Sequence, residues 1–246
     1  MRLPYTLPKV IGHRGAAGRA PENTLAGFAE AARLGVTWVE FDVMLSADGV
    51  PVVHHDHDLA RTAGGPGRVA ELSYAEIAER DAGSWFGPAF TGERVPSLEA
   101  VVKELARLGL GANVEIKPAP GLATQTAVSA LSVLRADWPD SLDPPLISSF
   151  NREALAAAQD CAPELPRGLL IERVPEDWRD ALARLDCATL HPSRKGLDLA
   201  VVDEAKAAGF GVAVYTVNDP EEARHLLGAG VDAVITDLPD DILERI

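Results

Sequence analysis

Seven residues of this sequence carry more chemistry than packing alone requires. His13 and Arg14 stand side by side where a short apolar run breaks into the glycine-rich stretch IGHRGAAGRAPENT (11–24). Glu40 and Asp42 lie two apart in WVEFDVML, Glu115 and Lys117 repeat that spacing in NVEIK, and His55 closes VPVVHH. In an extended chain, residues two apart point to the same face. Glu40 and Asp42 therefore share a face with Trp38, and Val39, Phe41 and Val43 share the other. Glu115 and Lys117 oppose Val114 and Ile116 in the same way. Charges turned toward an apolar layer would be very costly, so the three carboxylates are expected to meet on one polar surface.

Two like charges about 4 Å apart cost about 4 kcal/mol at an effective dielectric near 20. Three converging carboxylates thus need protons, cationic partners or a metal. Ion pairing with Arg14 and Lys117 is one resolution. A single hard divalent cation is the simpler one, and oxygen-only donors favour Mg²⁺ or Ca²⁺, with Mn²⁺ also suitable, over zinc. His13 and His55 are the natural proton carriers. Alternation turns His54 away from His55, and His57 falls in the following loop. Both are assigned structural or solvent roles, as are His191, His225, Asp56 and Arg61.

The elements that position these residues follow a rhythm. Apolar runs near residues 10, 40, 114, 147, 169, 189, 214 and 235 alternate with helical patterns. The first strand is expected over 9–12. Asn23 or Thr24 caps the helix that follows, and Gly35 suits the position that ends it. Ser97 caps another helix, and Pro220 fits a first helical position. Near-continuous apolar strands alternating with helices predict a parallel sheet. Eight such units in 246 residues predict a (β/α)₈ TIM barrel. No GxGxxG opens the first helix, which argues against a dinucleotide-binding sheet. Residues 56–96 break the rhythm, with GGPG, a Ser73/Glu76 capping box and DAGSWFGPAF. They read as a small insertion after the second strand region. Residues 1–246 are expected to form one domain. Barrel active sites sit at the C-terminal ends of the strands, and His13, Arg14, Glu40, Asp42, Glu115 and Lys117 all fall there. Trp85, Phe86, Phe150 and Tyr215 are candidates for the pocket wall or for the core.

The formal charge is −14. That excludes bulk-charge binding of nucleic acid or anionic membrane, and it requires local cations if the substrate is an anion. The two cysteines, Cys161 and Cys187, form no CxxC motif and are expected as free thiols. The N-terminus shows no apolar signal region, and no stretch approaches the roughly 20 apolar residues that span a bilayer. A cytoplasmic protein is the expectation.

Taken together, HRG…PENT, EFDVMLSADGVPVVHHD, LART, NVEIKP, ISSF, YTVND and TD.PD resemble the glycerophosphodiester phosphodiesterase family, nearly end to end. The resemblance implies a (β/α)₈ barrel with an insertion. It implies metal-dependent hydrolysis of small-molecule glycerophosphodiesters, such as glycerophosphocholine or glycerophosphoethanolamine, to sn-glycerol 3-phosphate and an alcohol. It also implies that His13 and His55 are the acid/base pair, that Glu40, Asp42 and Glu115 hold the metal, and that Arg14 and Lys117 face the phosphate. Two further readings remain: a phosphodiesterase acting on lysolipids, and an inactive module that binds metal or glycerol phosphates.

Overall fold

The computed structural model describes residues 3–246. The strands are β1 (Val10–His13), β2 (Trp38–Leu45), β3 (Pro51–Val53), β4 (Gly111–Ile116), β5 (Leu146–Ser149), β6 (Arg167–Ile171), β7 (Thr189–Pro192), β8 (Gly211–Val214) and β9 (Ala233–Thr236). All but β3 pair in parallel, in the order β1–β9–β8–β7–β6–β5–β4–β2, and β2 pairs back to β1. The result is a closed eight-stranded barrel, with β3 antiparallel on β2. Helices α1 (Leu25–Arg33), α2 (Tyr74–Ala78), α3 (Leu98–Leu108), α4 (Ala123–Asp137), α5 (Arg152–Cys161), α6 (Trp178–Arg184), α7 (Leu199–Ala207), α8 (Pro220–Gly228) and α9 (Pro239–Leu243) complete the fold. All but α2, which lies in the insertion, follow barrel strands. The expected (β/α)₈ architecture is present.

Strand alternation separates two cores. Val39, Phe41, Val43, Val114 and Ile116 face outward into the layer shared with the helices. There Phe41 meets Phe28 of α1 edge to face at 5.5 Å. Ile11, Trp38, Leu146, Ala213, Ala233 and Ile235 point inward and plug the lower barrel. Trp38 is the largest of the plug. A Cβ on Gly111 would lie 2.3 Å from its indole nitrogen, so that neighbouring position cannot carry a side chain. His191 also points inward and accepts or donates at 2.9 Å to Thr189. Gly168 leaves it room, since a Cβ there would lie 2.7 Å from His191 Nε2.

The helix signals resolve cleanly. Thr24, not Asn23, is the cap of α1, accepting from Gly27 N at 3.0 Å. Such caps contribute about 1 kcal/mol. Gly35, at φ +91°, ends that helix. Ser73 and Glu76 form the expected capping box, and Ser97 caps α3. The insertion returns to the barrel where Val53 N donates to Pro96 O at 2.9 Å. It has its own small core, in which Leu59, Val69, Ile77 and Val95 pack on Met44 of β2. Cys161 and Cys187 are both free thiols. One boundary and one element differ from expectation. The first strand runs one residue later, over Val10–His13, and α9 was not foreseen, because five residues are too short to show a helical period. Among the described residues no helix is long and apolar enough to cross a membrane.

Candidate active site

Parallel register carries the charged residues to one level. His13 pairs with Glu40 across β1 and β2, and Asp42 pairs with Glu115 across β2 and β4. One oxygen from each of Glu40, Asp42 and Glu115 lies within 4.8 Å of the other two, and all three side chains are buried. His13, Arg14, Glu40, His55, Glu115 and Lys117 line a single cleft of about 430 Å³ at the C-terminal mouth of the barrel. The structure thus brings together His13, Arg14, Glu40, Asp42, His55, Glu115 and Lys117.

The electrostatics discriminate among the carboxylates. Burial alone would raise Asp42, but Lys117 Nζ at 3.3 Å and Arg14 Nε at 3.4 Å overcome it and hold its carboxyl well below the usual range. At Glu40 and Glu115 the pull of the same cations is outweighed. Burial, reinforced by their acidic neighbours, raises Glu40 well above an ordinary carboxyl and pushes Glu115 up to about 8. Ion pairing therefore accounts for one carboxylate of the three. A further cation would favour the charged form of the other two. Buried, oxygen-only donors of this number suit a hard divalent ion.

The turn after β1 explains how neighbours His13 and Arg14 reach the same cleft. Arg14 (φ +49°) and Gly15 (φ +91°) are both left-handed, a conformation that costs a non-glycine residue about 1 kcal/mol or more. The bend lets Arg14 N donate to Glu40 Oε2 at 3.1 Å and its guanidinium reach Glu22 at 2.7 Å. A side chain on Gly15 would collide with the Gly27 backbone at 2.7 Å, so α1 packs directly on the turn.

Both histidines are held through Nδ1. His13 Nδ1 lies 2.6 Å from Asp237 Oδ1, and His55 Nδ1 lies 2.5 Å from Asp56 Oδ1. A carboxylate there favours the tautomer with the proton on Nδ1 and leaves Nε2 free. His13 Nε2 is 3.8 Å from Glu40. Desolvation lowers His55 from its ordinary value, against the pull of Asp42. The remaining histidines take no part. His54 is buried against Asp58 O at 3.1 Å, and His57 and His225 are exposed on the outside.

Several supporting residues escaped the sequence reading. Asp237 and its own partner Asn218, which donates to Asp237 Oδ2 at 2.6 Å, come from the far end of the chain. Asn23 grips Asp42 twice, donating from Nδ2 to Oδ2 at 2.9 Å and accepting from Asp42 N at 3.3 Å. Glu22 ties Arg14 to Arg61 (2.7 Å to each), and Arg61 in turn grips Asp56 at 2.6 Å. Asp56 and Arg61, expected to be structural, therefore support His55. The PENT segment was the available signal: each of its polar residues has a specific partner at the cleft or the cap. Phe150 and Tyr215 line the cleft, with ring centroids 5.7 Å apart. Trp85 and Phe86 are instead stacked edge to face at 5.6 Å on the insertion, away from the cleft lining.

A closed parallel barrel with acidic and basic side chains gathered at its C-terminal mouth is the arrangement of a barrel enzyme. The glycerophosphoryl diester phosphodiesterase family model matches residues 13–241. A glycerophosphodiester phosphodiesterase of Caldanaerobacter subterraneus subsp. tengcongensis is 34% identical, with 96% of this chain and 97% of that protein covered. A phosphodiesterase of Oleispira antarctica, solved in complex with the product sn-glycerol-3-phosphate, superposes with a TM-score of 0.95 at 43% identity, covering 97% of this chain and 96% of that one. A glycerophosphodiester phosphodiesterase of Agrobacterium tumefaciens superposes at 0.78 with 28% identity, covering 97% and 100%. The chain belongs to the glycerophosphoryl diester phosphodiesterase family.

Proposed function

We propose that this protein hydrolyses glycerophosphodiesters, with glycerophosphocholine and glycerophosphoethanolamine as substrates, to sn-glycerol 3-phosphate and the free alcohol. One observation carries the reading: two imidazoles, each held by a carboxylate through Nδ1, line the same cleft as a buried acidic triad. The Oleispira relative, bound to sn-glycerol-3-phosphate, supports the product.

Cleavage of a phosphodiester builds charge on the non-bridging oxygens and on the departing alkoxide. Arg14 and Lys117 present fixed cationic donors to the phosphate. One imidazole takes the proton of the nucleophile at Nε2, and the other gives a proton to the leaving oxygen. The same pair serves either water or the neighbouring glycerol hydroxyl as nucleophile. Glu40, Asp42 and Glu115 are the residues that would hold one divalent cation, Mg²⁺, Ca²⁺ or Mn²⁺. When bound, that ion supplies positive charge for the phosphoryl oxygens. Lys117 and Arg14 hold Asp42 ionised, so it offers a ready ligand, whereas burial shifts Glu40 and Glu115 toward their protonated forms and a bound cation would oppose that shift.

The test is release of sn-glycerol 3-phosphate from glycerophosphocholine by the wild type, His13→Ala and His55→Ala. Each substitution is expected to lower turnover by about a hundredfold or more, the scale of general acid–base groups. Near-wild-type turnover in either folded variant overturns its role. Faster turnover of micellar lysolipid than of glycerophosphocholine would move the assignment to a lysolipid phosphodiesterase.

A further inference from the structure

The catalytic cleft does not end at Tyr215. A second hollow of about 510 Å³ opens beside it and shares Glu172, Tyr215 and Thr216 as a common wall. Its far side is formed by Arg173, from the loop after β6, and by Arg194 and Lys195, from the loop after β7. Arg194 is neutralised by Glu222 at 3.0 Å. Arg173 and Lys195 have no carboxylate within ion-pair distance among the described residues, although acids outnumber bases throughout the chain. Most other cations at the barrel mouth are already committed: Arg14 to Glu22 and Asp42, Lys117 to Asp42, Arg61 to Glu22 and Asp56.

The backbone that carries this pair is anchored. Ser193 N donates to Ile171 O at 2.9 Å, Arg194 N donates to Tyr215 O at 2.8 Å, and Tyr215 Oη donates to Ile171 O at 2.9 Å. The ends of β6, β7 and β8 are thus stitched together under the two free cations. In a molecule of formal charge −14, two cations with no carboxylate partner beside the phosphate cleft offer a local attraction to an anion. A group with its own negative charge, attached to the reacting phosphate through a short alcohol, would reach them along the shared wall. Glu172 at the junction repels that charge from the near side of the hollow and leaves the far side as its seat.

We propose that Arg173 and Lys195 form a second anion subsite of the catalytic cleft, which selects phosphodiesters whose leaving alcohol carries a further phosphate. The proposal rests on the phosphodiesterase reading above and narrows its substrate class. The reaction is unchanged: the nucleophile, water or the neighbouring glycerol hydroxyl, gives its proton to one imidazole and bonds to the scissile phosphorus, the bond to the leaving oxygen breaks, and that oxygen takes a proton from the other imidazole.

The probes are a matched pair. Glycerophosphoglycerol loses neutral glycerol, whereas bis(glycerophospho)glycerol loses glycerol still bearing a phosphodiester. The global negative field alone would disfavour the more anionic substrate. With the subsite, kcat/KM per scissile bond is expected to be about tenfold higher for bis(glycerophospho)glycerol at low salt, the scale of two exposed charge pairs. The gap should close toward parity at about 0.5 M salt. The double variant Arg173→Ala/Lys195→Ala should lose the preference while its glycerophosphoglycerol turnover stays within about twofold. Both positions are exposed, and a thermal melt verifies folding. Equal kcat/KM for the two probes in the wild type overturns the subsite, as does an equal loss on both in the variant. Turnover of neither probe by the wild type would instead contradict the phosphodiesterase reading itself.

Discussion

His13 Nδ1 lies 2.6 Å from Asp237 Oδ1, a contact that joins the first barrel strand to the segment just after the last. Burial works against the Asp237 carboxylate, but its bond to His13 and the support of Asn218 hold it below the usual carboxyl range. An acid so held remains ionised through neutral pH and keeps the His13 proton on Nδ1. Asp237→Asn preserves shape but can donate to Nδ1 instead of accepting from it, which favours the wrong tautomer. Comparable orienting acids in hydrolases are worth several orders of magnitude. We expect kcat to fall by at least about tenfold, with a smaller change in KM, in steady-state kinetics on glycerophosphocholine. An unchanged kcat would show that Asp237 does not orient the imidazole.

Metal binding should release protons. Burial raises Glu40 well above an ordinary carboxyl and pushes Glu115 up to about 8, so Glu115 favours its proton near neutral pH in the metal-free protein and Glu40 shifts in the same direction. A divalent ion requires them ionised. Calorimetric titration with Mg²⁺ near pH 7, in two buffers of different ionisation heat, should report release of about one to two protons. Affinity should climb as pH rises through about 8. Titration with no proton release would mean that the two glutamates are already charged.

Asn23 orients a metal-ligand candidate without being one. It bonds the Asp42 carboxylate and its backbone N–H at 2.9 and 3.3 Å. Loss of such a partner typically lowers metal affinity by about 10–100-fold. Asn23 is also left-handed, at φ +56°, so Asn23→Ala adds backbone strain that Asn23→Gly avoids. Glycine should therefore recover melting temperature relative to alanine, while both variants share the affinity loss measured by calorimetry. Recovery of affinity in the glycine variant would assign the whole effect to strain.

Acid should destabilise the fold in part through His191. Burial lowers this imidazole to about 3, against an ordinary value near 6.5. Between those values the unfolded chain binds a proton that the folded one refuses. Stability therefore falls as pH drops from about 6.5 toward 3, and is unaffected by this group above that window. His191→Gln keeps an amide beside Thr189 and removes the titration. Its urea midpoint should decline less steeply than the wild type's between about pH 6 and 4. Parallel curves would remove His191 from the acid response.

The barrel and its seven site residues were legible because they follow short periods. Alternation alone places Glu40, Asp42, Glu115 and Lys117 on an inner face, and apolar runs mark the strands that bring them together. The supports were not legible for the same reason. Asp237 meets His13 across 224 positions of sequence, and no local pattern encodes that closure of the barrel. Asn23 looked like a helix cap, because its type suits a cap as well as it suits a ligand to Asp42. Trp85 and Phe86 left pocket wall and core both open, because an aromatic ring suits either. The insertion has no repeating period, so its path emerges only from its own packing.

The central claim is that Glu40, Asp42 and Glu115 jointly hold one catalytic cation between His13 and His55. The most direct measurement is anomalous diffraction from crystals grown with Mn²⁺. The account predicts a single strong peak within bonding distance of all three carboxylates. A peak elsewhere, or none in crystals that still convert glycerophosphocholine to sn-glycerol 3-phosphate, would contradict it.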